Sequence, residues 1–272
     1  MLGSGSIPLA TAADRRAFIE AARADDKPHA LANDRYSADI VAIACVERLP
    51  AIPDLSGDNA LPRWLAEQAG FEVRDLKRRW RLAVDIDGPL DLILTGDREA
   101  PNEVDTAPLR QRLASTQAVG RDRHAELLVA GRTSATTLAW LERHTASRTR
   151  ALIEERGLRA ANAANRRPPA SVLGALLDRD GPESLGDHLA RLADAAIVDT
   201  RVLLAHRLGA DESGWPDAED RFASDLLLPD RIQDPWLRAL TSSAAAARIP
   251  ILLGGHTLVG PGVRLVIGGT WS

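Results

Sequence analysis

Apolar strand-like runs that alternate with stretches of helical periodicity predict an α/β protein made of two wound, mostly parallel α/β units. Three observations carry this. Runs such as "AELLVAG" and "AAIVDTRVLLAH" are apolar over the length of a buried strand. They are followed by segments such as "SATTLAWLERHT", where apolar residues recur at helical spacing. Between them lies "GDREAPNEVDTAP", residues 96–108, polar and proline-bearing, the best candidate for a linker. The expected organisation is a first unit over residues 1–97, a linker over 98–108 and a second unit over 109–272. With 272 residues, 45% of them hydrophobic, the chain has the material for two ordinary cores.

In the first unit, "TAADRRAFIEAARA" reads as a helix, with Thr11 and Asp14 near its start and Phe18 and Ile19 on one side. "ADIVAIACV" is β-branched and apolar, a buried strand. "DNALPRWLAEQAG" is a loop feeding a helix that stops at Gly70, "FEVRDL" a short strand, "WRLAVDID" the next strand, and "PLDLILTG" the helix after it. In the second unit, "LRQRLASTQAV" is helical, "AELLVAG" a strand, "SATTLAWLERHT" a helix and "TRALIEERG" a strand. "SVLGALL" and "LGDHLARLA" are helical pieces, and "AAIVDTRVLLAH" is a strand, alone or running into a helix. "PWLRALTSSAAAARI" leads as a helix into the strand "IPILLGG", and "GVRLVIGG" reads as a last edge strand. That order is the order of a wound parallel sheet.

Charge and composition exclude several classes. Net charge is −4, from 34 basic and 38 acidic residues, which disfavours nucleic acid and anionic membrane surfaces as partners. No run approaches the roughly eighteen apolar residues of a membrane span, and the N-terminus lacks a basic segment followed by an apolar core. The chain is therefore expected in the cytoplasm, off the membrane, with self-association into a homo-oligomer left open. A single cysteine, Cys45, excludes an internal disulfide and a thiolate cluster, and its apolar surroundings mark it as a buried thiol.

The stretch "RLAVDIDGPLDLILTG" carries the most chemistry in the first unit. On a strand, Asp85 and Asp87 share a face, their Cα atoms roughly 7 Å apart. At the carboxyl end of a parallel strand, where ligands collect, such a pair suits a hard cation; Mg²⁺ often takes only one or two carboxylates and completes its shell with water and phosphate oxygens. The same residues also make a helix start: Asp87 or Gly88 as N-cap, Pro89 in the first turn, Asp91 at the positive end of the dipole.

"DIDGPLDL" resembles the Asp-x-Asp-Thr-Pro-x-Asp-Leu segment of nucleotidyltransferases of the GT-A-like fold, a superfamily that includes 2-phospholactate guanylyltransferase and, more distantly, molybdenum cofactor guanylyltransferase and KDO cytidylyltransferase. "GSIPLATAADRRAFIEAA" resembles the family's Gly-Asp-x-Pro-Leu segment and its helix, and "GDNALPRWL", residues 57–65, its Gly-Thr-Asn-Ala-Leu segment. The three matches fall in the family's order and cover residues 1–97. The resemblance implies that the first unit is part of a nucleotide-diphospho-sugar transferase fold. It further implies Asp85 and Asp87 as catalytic Mg²⁺ ligands and Asn59 as a contact to base or sugar. The match departs at Ser6, which stands where the family has a metal-binding aspartate, and residues 1–97 contain no counterpart of the family's glycine-rich phosphate loop.

In the second unit, Gly131, Arg132, Thr133 and Ser134 lie between a strand and a helix. Backbone N–H groups at such a turn bind phosphate, and an arginine adds a bidentate contact; glycine with serine or threonine is equally ordinary turn and cap chemistry. The loop is not a Walker A motif, since no Gly-Lys-Ser/Thr follows. The six histidines show no His-x-x-x-His spacing and no serine sits in Gly-x-Ser-x-Gly, so a zinc site and a nucleophile elbow are disfavoured. "DESGWPDAEDRFASDLLLPDRIQDPWL" reads as a long acidic loop that packs Trp215, Phe222 and Trp236 over the sheet, or else as a lid or partner-binding surface.

Two functional classes follow. One is a Mg²⁺-dependent nucleotidyltransferase-like or nucleotide-binding protein, with Asp85 and Asp87 on the metal, and Asn59, Gly131, Arg132 and Ser134 on a nucleotide or phosphorylated small molecule. There the metal stabilises charge on the transferring group. The other is a non-catalytic α/β protein that binds a ligand or a partner.

Overall fold

The computed structural model describes residues 3, 5–23, 27–55, 60–96, 104–156, 158 and 167–270, in two compact units, Met1–Ile86 and Asp87–Ser272. The chain is a mixed α/β protein, with a small mixed sheet in the first unit and a four-stranded parallel sheet in the second.

The first unit contains α1 (Ala12–Arg23), β1 (His29–Ala32), β2 (Val41–Ile43), α2 (Leu61–Glu67) and β3 (Glu72–Asp75). Its sheet has the order β2-β1-β3, with β1 antiparallel to β2 and parallel to β3. A capping box starts α1: the Thr11 backbone N–H donates to Asp14, and the Asp14 N–H donates to the Thr11 hydroxyl. Buried Asp14 also pairs with Arg79 at 2.6 Å. Phe18 enters the core, whereas Ile19 faces outward at 51% exposure.

Several sequence expectations are corrected here. The sheet of this unit is mixed rather than wound and mostly parallel. "ADIVAIACV" supplies only three strand residues, because at Cys45 the backbone turns left-handed (φ 55°) into a short 3₁₀ turn; the thiol is partly buried. "WRLAVDID" is not a regular strand, since Trp80–Ala83 is a 3₁₀ helix and Asp85 makes only an isolated antiparallel bridge to Ser6. Leu82 and Val84 nonetheless go inward as the alternation requires.

The second unit contains α3 (Pro89–Thr95), α4 (Ala107–Arg121), β4 (Glu126–Gly131), α5 (Ala135–His144), β5 (Arg148–Ile153), α6 (Val172–Asp180), α7 (Leu185–Leu192), β6 (Ala195–Asp199), α8 (Thr200–Leu208), α9 (Ala218–Asp225), α10 (Pro235–Ala246), β7 (Ile251–Gly254), α11 (His256–Val259) and α12 (Val263–Gly268). All four strands run parallel in the order β5-β4-β6-β7. The chain passes from β4 outward to β5 and then returns to the other side of β4 for β6. The carboxyl ends of β4 and β6 therefore form a topological switch point, where parallel sheets open a crevice.

Strand alternation divides the core. Leu127 and Val129 of β4, Ala195 and Ile197 of β6 and Leu252 of β7 face one layer, with α3, α4, α5, α11 and α12. Leu128 and Ala130, Ala196 and Val198, Ile251 and Leu253 face the other, with α6, α7, α8, α9 and α10. Helix α3 belongs to the first of these layers through Leu90, Ile93 and Leu94. The compact units thus divide at Ile86/Asp87, ahead of the expected linker, of which 98–103 lies outside the described residues.

Two further readings change. "GVRLVIGG" is helix α12 rather than an edge strand: Val263, Val266 and Ile267 are spaced i, i+3, i+4 and are buried in the same cluster as Leu109 and Leu113 of α4. The acidic segment is not a loop but holds α9, preceded by Asp217 and carrying Glu219 and Asp220 in its first turn. Buried Asp220 accepts the backbone N–H groups of Gln233 and Asp234, both at 2.8 Å, and so fixes the entry to α10. Trp215 is buried beside Leu204 and Ala205 of α8. Among the described residues no helix is long and apolar enough to cross a membrane.

Burial makes a direct prediction. Leu113→Ala on α4, fully buried, should destabilise the second unit by about 2–5 kcal/mol in urea unfolding, whereas Ile19→Ala on exposed α1 should change stability by no more than about 0.5 kcal/mol. Equal effects would contradict the assignment of the two faces.

Candidate functional site

At the end of β4 the backbone turns sharply at Gly131, whose φ of 122° disfavours any side chain. A Cβ there would stand 2.3 Å from the Cβ of Asp199, the last residue of β6, so only glycine lets the two strand ends approach this closely. The turn folds Arg132 back onto Asp199. Nε donates to Oδ2 at 2.6 Å and Nη2 to Oδ1 at 3.1 Å, in a buried, two-pronged ion pair across the switch point. Asp199 also accepts the N–H of Arg201 at 3.1 Å and so caps α8.

Arg201 carries the network onward. Its guanidinium donates to both carboxylate oxygens of Asp225 at the end of α9, Nη2 to Oδ2 at 2.7 Å, and to the Thr200 hydroxyl at 2.9 Å. Thr200 in turn donates to the carbonyl of Gly254, the last residue of β7. Burial works against the charge on Arg201, but Asp225, then Asp199 and Asp91, outweigh it and hold the guanidinium above its ordinary value. Burial pushes the Asp225 carboxyl up, against the pull of Arg201.

These elements surround a cavity of about 160 Å³, lined by Asp87, Gly88 and Asp91 before and in α3, Arg132 after β4, Arg201 in α8, Arg221 and Asp225 in α9, and Gly255 to Thr257 after β7. Phe222 and Leu90 supply its apolar wall. Gly88 is required at this wall, since a Cβ there would meet the Phe222 ring at 2.9 Å. The volume is that of roughly five water molecules, below the ~300 Å³ at which pockets begin to enclose a drug-sized ligand. It suits a molecule of amino-acid size, or the polar head of a larger one.

Asp91, like Asp225, is a strongly perturbed carboxyl lining the cavity. It is 8% exposed, and its Oδ2 accepts the N–H groups of Asp87 and Gly88, both at 3.0 Å, closing the start of α3. Burial raises its pKa from 3.8 to about 7, opposed by the Asp87 N–H bond and reinforced by the charges of Asp225 and Asp87.

The residues expected from the sequence are distributed as follows. Asp87 and Arg132, from separate stretches, line the same cavity. Asp85 belongs to the first unit, where its Oδ1 accepts the Ile86 N–H at 3.1 Å. Gly131 forms the turn beneath Arg132. Ser134 caps α5, accepting the Thr137 N–H at 3.1 Å. Asn59 lies outside the described residues. Arg201, Arg221, Asp225 and Gly255 are cavity residues that the sequence reading did not single out. The paired glycines after β7 were the available signal for Gly255; nothing local announces Asp225, which meets Arg201 across 24 residues of chain. Among the described residues no three His, Cys, Asp or Glu side chains come together to hold a metal.

No family model, curated protein or solved structure matches the chain.

A raised carboxyl pKa fixes the sign of a pH effect. The folded chain retains the Asp91 proton between about pH 4 and pH 7 while the unfolded chain releases it, so this group's contribution to stability falls as pH rises through that window and is flat above it. Asp91→Asn, which does not titrate, should gain on the wild type across the window by up to about 4 kcal/mol, since each pH unit crossed in it is worth ~1.4 kcal/mol. Denaturant unfolding at several pH values measures the difference; one that stays constant from about pH 4 to about pH 8 would contradict the burial argument.

Proposed function

We propose that the second unit binds a small polar molecule in the cavity at the carboxyl ends of β4, β6 and β7. The observation that carries this reading is that three strand ends, two buried ion pairs and the start of α3 converge on one polar cavity at the switch point of a parallel sheet, where such sheets place ligands. The arginines are fixed by their carboxylate partners before any ligand arrives, so little ordering entropy remains to oppose binding.

A second reading, Mg²⁺-dependent nucleotidyl transfer of the kind the sequence resemblance implies, is favoured by Asp87 and Arg132 lining the same cavity. A single carboxylate is enough donor chemistry for Mg²⁺ when water and phosphate oxygens fill the rest of its shell, and Asp87 would be the residue to hold it. The metal would supply charge stabilisation to the transferring group. In this reading Arg132 would reach a phosphate only with the donors that Asp199 leaves, because Nε and Nη2 are engaged.

Thermal unfolding against a panel of small amines, carboxylates, inorganic phosphate and nucleoside triphosphates, with and without Mg²⁺, tests both readings. A ligand of the folded state raises Tm, roughly 2–4 °C for each ~1 kcal/mol of binding energy. Gly255→Leu should abolish the rise: a Cβ there meets only Arg201, at 3.8 Å or more, so the side chain can be accommodated and fills the cavity. A rise that needs Mg²⁺ and is lost in Asp87→Asn selects the second reading. A rise that survives Gly255→Leu, or none with any compound, contradicts the assignment of the cavity.

A further inference from the structure

The start of α6 is closed by side chains from three places in the chain. Ser171, its N-cap, takes the Gly174 N–H on its hydroxyl oxygen at 3.1 Å. Glu154, just past β5, accepts the Ser171 hydroxyl and the Val172 N–H, both at 2.7 Å. The N–H of Ser171 itself donates to Nδ1 of His206 on α8 at 3.1 Å. Glu154 also donates its own N–H to the carbonyl of Gly131 at 3.0 Å, so the residue that caps α6 is bonded to the turn that carries Arg132.

The bond from Ser171 dictates where the imidazole carries its proton. A backbone N–H only donates, so Nδ1 must hold a lone pair, and the neutral ring has its single N–H at Nε2. Nε2 lies 3.0 Å from Oδ2 of Asp178 on α6, which accepts that N–H. A second proton can enter only at Nδ1. There it would face the Ser171 N–H, donor against donor, and the bond that closes the first turn would be lost. The imidazole lies directly on the backbone of α6: a Cβ on Gly174 would stand 2.4 Å from its Cδ2, so glycine is what lets the ring come this close.

The surrounding charge favours the second proton. Asp178 faces Nε2 directly, Glu154 is reached through Ser171, and Glu155 accepts the Ala170 N–H at 3.0 Å just ahead of the helix. The nearby cations are turned elsewhere: Arg179 forks on Asp180, and Arg207 lies over the Trp236 ring. With 16% of the His206 side chain exposed, protons from solvent have access. Histidine is the side chain that ordinarily changes charge between about pH 5 and pH 8.

We infer that His206 is a proton-operated latch on the start of α6: the neutral Nε2–H tautomer accepts the Ser171 N–H and keeps the first turn closed, and the imidazolium releases that N–H while staying on Asp178. The latch works whether or not the cavity holds a ligand.

NMR of the full chain between about pH 8 and about pH 5 tests it, reading the imidazole nitrogen shifts of His206 and the hydrogen-exchange protection of the Ser171 amide, corrected for the intrinsic pH dependence of exchange. At the upper end Nε2 should carry the proton and Ser171 should be protected. As the ring takes up its second proton, that protection should fall about tenfold, the worth of one such hydrogen bond. His206→Asn puts a carbonyl oxygen near the place of Nδ1 and does not titrate, so its Ser171 protection should stay level across the range. Asp178→Asn removes a carboxylate that favours the proton and should move the drop to lower pH. A proton on Nδ1 of the neutral ring, a ring that stays neutral down to about pH 5, or a Ser171 amide that stays protected once the ring is charged each overturns the inference. A drop of the same size and midpoint in His206→Asn overturns it too, since another group would then be opening the turn. The wild-type readings decide the matter even where His206→Asn does not fold.

Discussion

The buried pair between Arg132 and Asp199 is the constraint on which the rest of the second unit's site depends. It joins the carboxyl ends of β4 and β6 at the point where the strand order reverses, and Asp199 simultaneously starts α8. Through that helix start it sets Arg201, whose fork on Asp225 ties α9 to the same edge. Without the first pair, the loop after β4 has no reason to fold back, and the cavity loses one wall.

Such a pair is not a simple source of stability. Two charges removed from water lose several kcal/mol each in hydration, and their attraction repays this only with the good geometry seen here, two parallel bonds and further donors to the same carboxylate. The exposed pairs on β5 make the contrast. Arg148 and Arg150 approach Glu126 at 3.8 and 3.3 Å with arginine side chains 71% and 48% exposed, and pairs open to solvent in this way contribute about 0–1 kcal/mol. The buried pair acts as a fastener: an apolar replacement of both partners would hold the fold but would not aim the loop, whereas loss of one partner strands a charge in the core.

Much of this architecture is legible in the sequence. The apolar alternation of "AELLVAG" and "AAIVD" places the two central strands, and Gly88-Pro89-x-Asp91 announces the start of α3 through ordinary capping chemistry. What fails does so for physical reasons. "GVRLVIGG" is too short for periodicity to separate a helix from a strand, and its packing in one cluster with Leu109 and Leu113 of α4, far away in sequence, decides the matter. The dense charge of residues 211–237 suggested a loop, yet the acidic residues serve the start of α9 and the turn into α10. At the site, Asp87 and Arg132 were visible because each sits at a strand-to-helix or loop-to-helix turn. The link from Arg201 to Asp225 was not, since it exists only once two helices have been brought to the same sheet edge.

The most direct test of this account is a double-mutant cycle on Arg132 and Asp199, read by denaturant unfolding of Arg132→Ala, Asp199→Ala and the double variant. Stranding either charge in the core should cost about 3–5 kcal/mol, and the double variant should cost little more than one single substitution, a coupling of at least ~2 kcal/mol. Single effects below about 1 kcal/mol that simply add would show an ordinary surface-like pair. The strand ends would then be held together by something other than this contact.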